Sequence, residues 1–143
     1  MLTKFDDIEK PEADTSDLDG WIVVEGNPSM KTQVLHTNKE KKMISGIWEA
    51  TPGTYHATYS AYEFVHIIKG VIKITPDDGT SARIVSAGDT FVVESNFKGT
   101  WEIKESVLKH FDVMLEVKFA YYRLNPRYLV LMMIKFDGEN GLE

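Results

Sequence analysis

The 143-residue chain has no cysteine, and that absence removes disulfides, thiolate catalysis and cysteine-held metals together. Long hydrophobic runs are missing too. The longest, Tyr128-Leu129-Val130-Leu131-Met132-Met133-Ile134, falls far short of the roughly 20 apolar residues that a spanning helix requires. The first twenty residues carry neither a basic leader nor an apolar stretch behind one, the two marks of a secretion signal. A soluble, cytoplasmic protein that does not engage membranes is therefore expected. Positive charge is scarce: 16 basic residues stand against 22 acidic ones, for a net charge of −6. Residues 1–20 account for most of the imbalance, with seven acids against Lys4 and Lys10. An acidic leader on a near-neutral body gives phosphate backbones nothing to hold, which excludes nucleic acid as an expected partner. There is no glycine-rich phosphate loop, Gly-x-Ser-x-Gly elbow or His-Glu-x-x-His pair, so kinases, triad hydrolases and zincins gain no support.

The chain does have enough apolar side chain for one packed domain, with 43% hydrophobic and 11% aromatic residues. Period-two alternation dominates, and a 3.6-residue period is hardly visible. Residues 1–20, polar and broken by Pro11, are expected to form a loosely held acidic arm. Trp21–Glu25 reads as a strand closed by Gly26-Asn27-Pro28-Ser29. Thr32–Thr37 and Met43–Glu49 are expected to flank a charged hairpin tip. Gly46 inside the latter marks a bulge or a close backbone approach. The stretch Pro52–Gly70 is expected to hold two strands folded back on each other, the second ending at Gly70. Beyond it, Val71–Thr75 and Ala82–Val85 surround an Asp-Gly turn. Thr90–Glu94, Trp101–Glu105 and the clean alternation from Val107 to Val117 complete the series. Short strands between Gly, Pro and Asp turns predict an all-β sandwich or barrel.

Glu63 resembles the glutamate of the first cupin motif, since six residues separate it from Gly70 as that motif requires. Glu25-Gly26-Asn27-Pro28, the run Ser45–Gly53, Tyr62-Glu63-Phe64, Asp78-Gly79, Ala87-Gly88-Asp89 and Phe97–Glu102 extend the likeness over about residues 21–113. Together they resemble the cupin subfamily of ureidoglycine aminohydrolase-like and ethanolamine-utilisation-like proteins. The resemblance implies a double-stranded β-helix, or jelly roll. The barrel it implies at 21–113 leaves the acidic arm at 1–20 before it and, beyond the resemblance, a 114–143 extension expected to complete the barrel or a dimer interface. Metal-dependent cupins hold their ion with histidines and a glutamate. Here the histidine pair of the first motif falls on His56 and Thr58, or on Ala57 and Tyr59, and the second-motif histidine falls on Gly99. Too few ligands remain for a tight zinc or iron site, so no cofactor is expected, a divalent metal held by a different ligand set being the alternative.

Glu63 is the leading candidate for a functional group, because a carboxylate heading an apolar strand must be exposed, hydrogen-bonded or coordinated. His56 could join it by strand alternation, whereas His66, three residues on, belongs to the opposite face. His36 and His110 have no partner at ligand spacing. Tyr59 occupies a family ligand position on one alignment, and Trp48 and Trp101 are candidates for the walls of a site or simply for the core. Three readings follow from the resemblance. One is a pocket in which Glu63, Tyr59, His56, Trp48 and Trp101 bind a small amine- or amide-bearing metabolite. Another is a metal-assisted isomerase, lyase or amidohydrolase of nitrogen metabolism acting through Glu63 and His56. The third is a non-catalytic assembly module. The apolar stretches Phe119–Tyr122 and Tyr128–Phe136 would need cover, and a homodimer contact is expected to supply it.

Overall fold

Two long strands carry the architecture. The computed structural model describes residues 1–115, and within them β5 (Tyr62–Pro76) and β8 (Lys98–Met114) pair antiparallel from Tyr62 opposite Met114 to Pro76 opposite Gly99. Around them stand β1 (Trp21–Glu25), β2 (Met30–Thr37), β3 (Met43–Ala50), β4 (Gly53–Thr58), β6 (Arg83–Ser86) and β7 (Thr90–Val93). The first half of β5 and the second half of β8 lie in a layer ordered β2-β3-β8-β5-β7, and their other halves lie in a layer ordered β1-β4-β8-β5-β6. One sheet thus curls onto itself as an all-β jelly roll, with its apolar faces turned inward.

The bend is written in side-chain parity. Glu63, Val65 and Ile67 point inward before it, and Ile72 and Ile74 after it, so the inward set changes from odd to even numbers. Register shifts between Ile67 and Ile72 absorb the extra residue, as a bulge does. Gly70 sits there at φ +101°, and a Cβ on it would clash with the Ser106 carbonyl oxygen. Gly70 therefore does not end a strand, as its sequence context predicts, but lets one strand turn the corner. Gly46 has both features expected of it, a register shift across from Val34 and His36 and a close approach to the Gln33 carbonyl.

A second correction concerns the central stretch. β4 and β5 do not pair with each other; both pair with β8, one on each side. The tight loop between them crosses from one layer to the other instead of closing a hairpin. Trp101–Glu105 and the alternating stretch from Val107 likewise form one strand, β8.

The core is an aromatic cluster. Trp21 packs against Trp48, Tyr55, Tyr59 and Trp101 with ring centroids 5.1 to 5.8 Å apart, separations at which tilted rings attract by about 1 kcal/mol a pair beyond their area burial. The acidic arm is held more firmly than its composition predicts. Asp14 bridges to Thr32, the Gln33 amide donates to the Pro11 carbonyl at 2.7 Å, and the Tyr55 hydroxyl donates to Asp17 at 3.0 Å. These bonds replace the solvation that the sequence implied for a free tail. Among the described residues no helix is long and apolar enough to cross a membrane. Nearly all of the 114–143 extension, with the dimer contact assigned to it, lies outside the described residues.

Candidate functional site

Glu63 enters the layer β2-β3-β8-β5-β7 on its inner face and is 7% exposed. Its carboxylate is enclosed by two donors. The Tyr59 hydroxyl donates to Oε1 at 2.8 Å, and the Lys109 ammonium donates to Oε1 at 3.2 Å and Oε2 at 3.1 Å. Tyr59 is held by its backbone, whose N–H donates to the Phe97 carbonyl and whose carbonyl accepts from Asn96. Lys109 follows from β8 alternation. Val107, Lys109 and Phe111 share the inner face, and Lys109 is 2% exposed. Its Nζ lies 4.6 Å from the Trp48 ring centroid and 5.0 Å from that of Trp101, which gives the cation two aromatic faces in place of water.

Burial governs the titration of Lys109 and Tyr59. It lowers the Lys109 pKa below the ordinary 10.5, a shift that the attraction of Glu63 only partly opposes. It raises Tyr59 well above the ordinary 10.0, and the Glu63 charge and hydrogen bond add to the rise. At neutral pH the phenol therefore remains a hydrogen-bond donor.

A cavity of about 50 Å³ opens beside the cluster. Glu63, Lys109, Tyr59, Trp48 and Thr32 line it, and Leu18 of the arm and Thr58, Ser60 and Ala61 of the β4–β5 loop form its half-buried border. A space of this size admits a few heavy atoms. The Thr32 hydroxyl is buried on that wall with no hydrogen-bond partner among the described residues.

The structure brings together Glu63, Tyr59 and Trp48 from the residues predicted by sequence. Trp101 stands behind them, stacked on Tyr59 at 6.2 Å and against Lys109, without lining the cavity. His56 does not join them. It alternates with the fully buried Tyr55 and Ala57 and so faces outward, where Nε2 meets Asp77 Oδ2 at 2.8 Å. The prediction that put it beside Glu63 assumed a β4–β5 hairpin that the fold does not contain. His66 lies on the outer face, as its spacing predicts, directly across from His110, whose ring meets Phe5 edge-on at 6.0 Å. Lys109 is the member that sequence reasoning missed, although its position in the inward register from Val107 was readable.

The donor set does not fit the divalent ion that cupins of the metal-dependent kind hold. No three His, Asp or Glu residues converge anywhere among the described residues. The Glu63 carboxylate is already engaged by an ammonium, which repels a dication from the same oxygens.

Comparison with known proteins agrees with this architecture. The model of the EutQ-like cupin domain matches residues 37–111, just over half of the chain. No curated protein matches. Among solved structures, the EutQ protein of Clostridium difficile superposes with a TM-score of 0.55 at 16% identity, covering 66% of this chain and 71% of its own. The ethanolamine utilization protein Q of Salmonella typhimurium LT2 gives 0.53 at 15% identity, covering 60% and 69%. A protein of unknown function from Pseudomonas syringae pv. tomato gives 0.58 at 18% identity, covering 75% and 44%. At such identities these structures share a fold with the chain and nothing finer. The family match and the curled jelly roll together make the chain a cupin, a member of the EutQ-like cupin domain family.

Proposed function

We propose that this domain binds a small, uncharged polar molecule beside the Glu63–Lys109–Tyr59 cluster. The observation that carries this reading is a buried ion pair on the wall of a cavity. Replacing such a pair by well-packed apolar residues is often neutral or stabilising, so packing alone gives little reason for a lysine and a glutamate at this depth. A polar ligand gives one. The opposite charges of Glu63 and Lys109 cancel, and a ligand with net charge would bring an unpaired ion into a poorly solvated space. Of the amine- and amide-bearing ligands expected from sequence, this favours the amides. It disfavours a charged amine, because Lys109 already occupies the carboxylate. It also admits other small carbonyl compounds. The Thr32 hydroxyl, without a hydrogen-bond partner among the described residues, supports the same class, as a donor for a carbonyl oxygen.

The test is thermal unfolding against a panel of small neutral amides, aldehydes and ketones, alongside charged amines and carboxylates of equal size. A neutral carbonyl compound at a hundredfold over its dissociation constant is expected to add about 2.7 kcal/mol of stability. Stabilisation by the charged members alone, or by none, would reject the reading.

A further inference from the structure

We propose that Lys109 is an imine-forming residue that condenses with a small neutral aldehyde or ketone in the cavity. This deepens the pocket reading above and rests on it. The observations are the enclosure of a primary amine, the carboxylate within hydrogen-bond reach on two oxygens, and the cavity beside them. Most lysines are solvated ammonium groups and poor nucleophiles at neutral pH. Lys109 is withdrawn from water between two indole rings, and burial weakens its hold on its proton.

The chemistry balances with the groups present. Glu63 takes one proton from the ammonium, and Oε2 suits this transfer because Oε1 also accepts from Tyr59. The Nζ lone pair then forms a bond to the carbonyl carbon, and the carbonyl π pair moves onto oxygen. Two of the three ammonium protons depart with that oxygen as water. The iminium that remains keeps one proton and one positive charge, so its pairing with Glu63 survives the reaction. No oxidant or second substrate is required. The Thr32 hydroxyl, buried on the same wall, can donate to the carbonyl oxygen as negative charge develops there. A cavity of about 50 Å³ restricts the partner to a few heavy atoms.

The experiment incubates the full chain with propanal or with acetone, reduces with borohydride and maps the modified peptides by mass. The expected result is one propyl or isopropyl group on Lys109, while exposed Lys31 and Lys69 stay unlabelled. Glu63→Gln is expected to slow the labelling and to shift its pH profile, which a purely structural carboxylate would not do. Lys109→Arg, which keeps the positive charge, is expected to abolish it. The wild-type peptide map needs no variant to fold. If propanal or acetone raises the melting temperature and Lys109 carries no label, covalent chemistry is overturned and the binding pocket stands. If neither compound labels Lys109 and no neutral carbonyl in the wider panel stabilises the protein, both proposals fall. Label spread evenly over exposed lysines also overturns the inference.

Discussion

Lys109 and Glu63 are each tolerable in the core only because of the other. Two ionised groups exposed by 2% and 9% of their side chains lose most of their hydration, and the hydrogen bonds between them, with the one Tyr59 donates to Glu63, recover part of it. Removing one partner leaves an uncompensated charge, while removing both leaves an apolar gap that the aromatic cluster can line. Lys109→Met and Glu63→Leu are therefore each expected to destabilise the fold by about 3–5 kcal/mol. The double variant Lys109→Met with Glu63→Leu is expected to lose much less than the sum. Urea unfolding of all three checks this, and additive losses would mean that the pair is not coupled. At this scale the sequence was half legible. Glu63 stood out as a carboxylate within a β-branched strand, and Tyr59 through its family position. Lys109 did not stand out, because a lysine in a strand ordinarily faces water and only strict alternation from Val107 turns it inward. His56 misled for the complementary reason: its type suggested chemistry, and its neighbours Tyr55 and Ala57 had the stronger claim to the core.

β5 and β8 show how elements longer than their sequence signals arise. Gly70 and the polar Glu105-Ser106 step look like strand ends, since glycine and exposed polar residues punctuate chains. In the curled sheet they are the points at which two paired strands change layer together. Alternation was legible along each half, and it identified almost every strand. The continuity across the corner was not, because it depends on Gly70 meeting Ser106 across the pair. That contact makes Gly70 different in kind from Gly79, which also has positive φ, at +84°, but has open space where a Cβ would stand. Gly79→Ala is expected to cost about 1 kcal/mol, the strain of a left-handed residue alone. Gly70→Ala adds a clash with backbone atoms and is expected to cost about 3 kcal/mol or more. Thermal unfolding of the two variants measures the difference, and equal losses would show that the corner can shift to accept a side chain.

The whole molecule combines an arm, a curled sheet and a charged cluster, and its response to pH joins them. In the folded state Lys109 has a pKa below 10.5 because burial disfavours its ammonium. Between that lowered value and 10.5 the unfolded chain binds more protons at this residue than the native chain does, so the contribution of Lys109 to stability rises with pH and levels off above 10.5. Tyr59 has the opposite sign. Its native pKa lies well above 10.0, so its contribution is complete below 10.0 and is lost as the unfolded phenol ionises above that pH. Tyr55, raised by burial and by its bond to Asp17 of the arm, adds to the same alkaline loss. Stability is therefore expected to climb on the approach to pH 10 and fall beyond it. The Lys109→Met, Glu63→Leu double variant should lose the climb and keep the fall, and Tyr59→Phe should keep the climb and soften the fall. Urea unfolding midpoints across the alkaline range separate the two limbs. An unchanged climb in the double variant would mean that Lys109 keeps an ordinary pKa, and the burial that gives it nucleophilic character would then have no counterpart in solution.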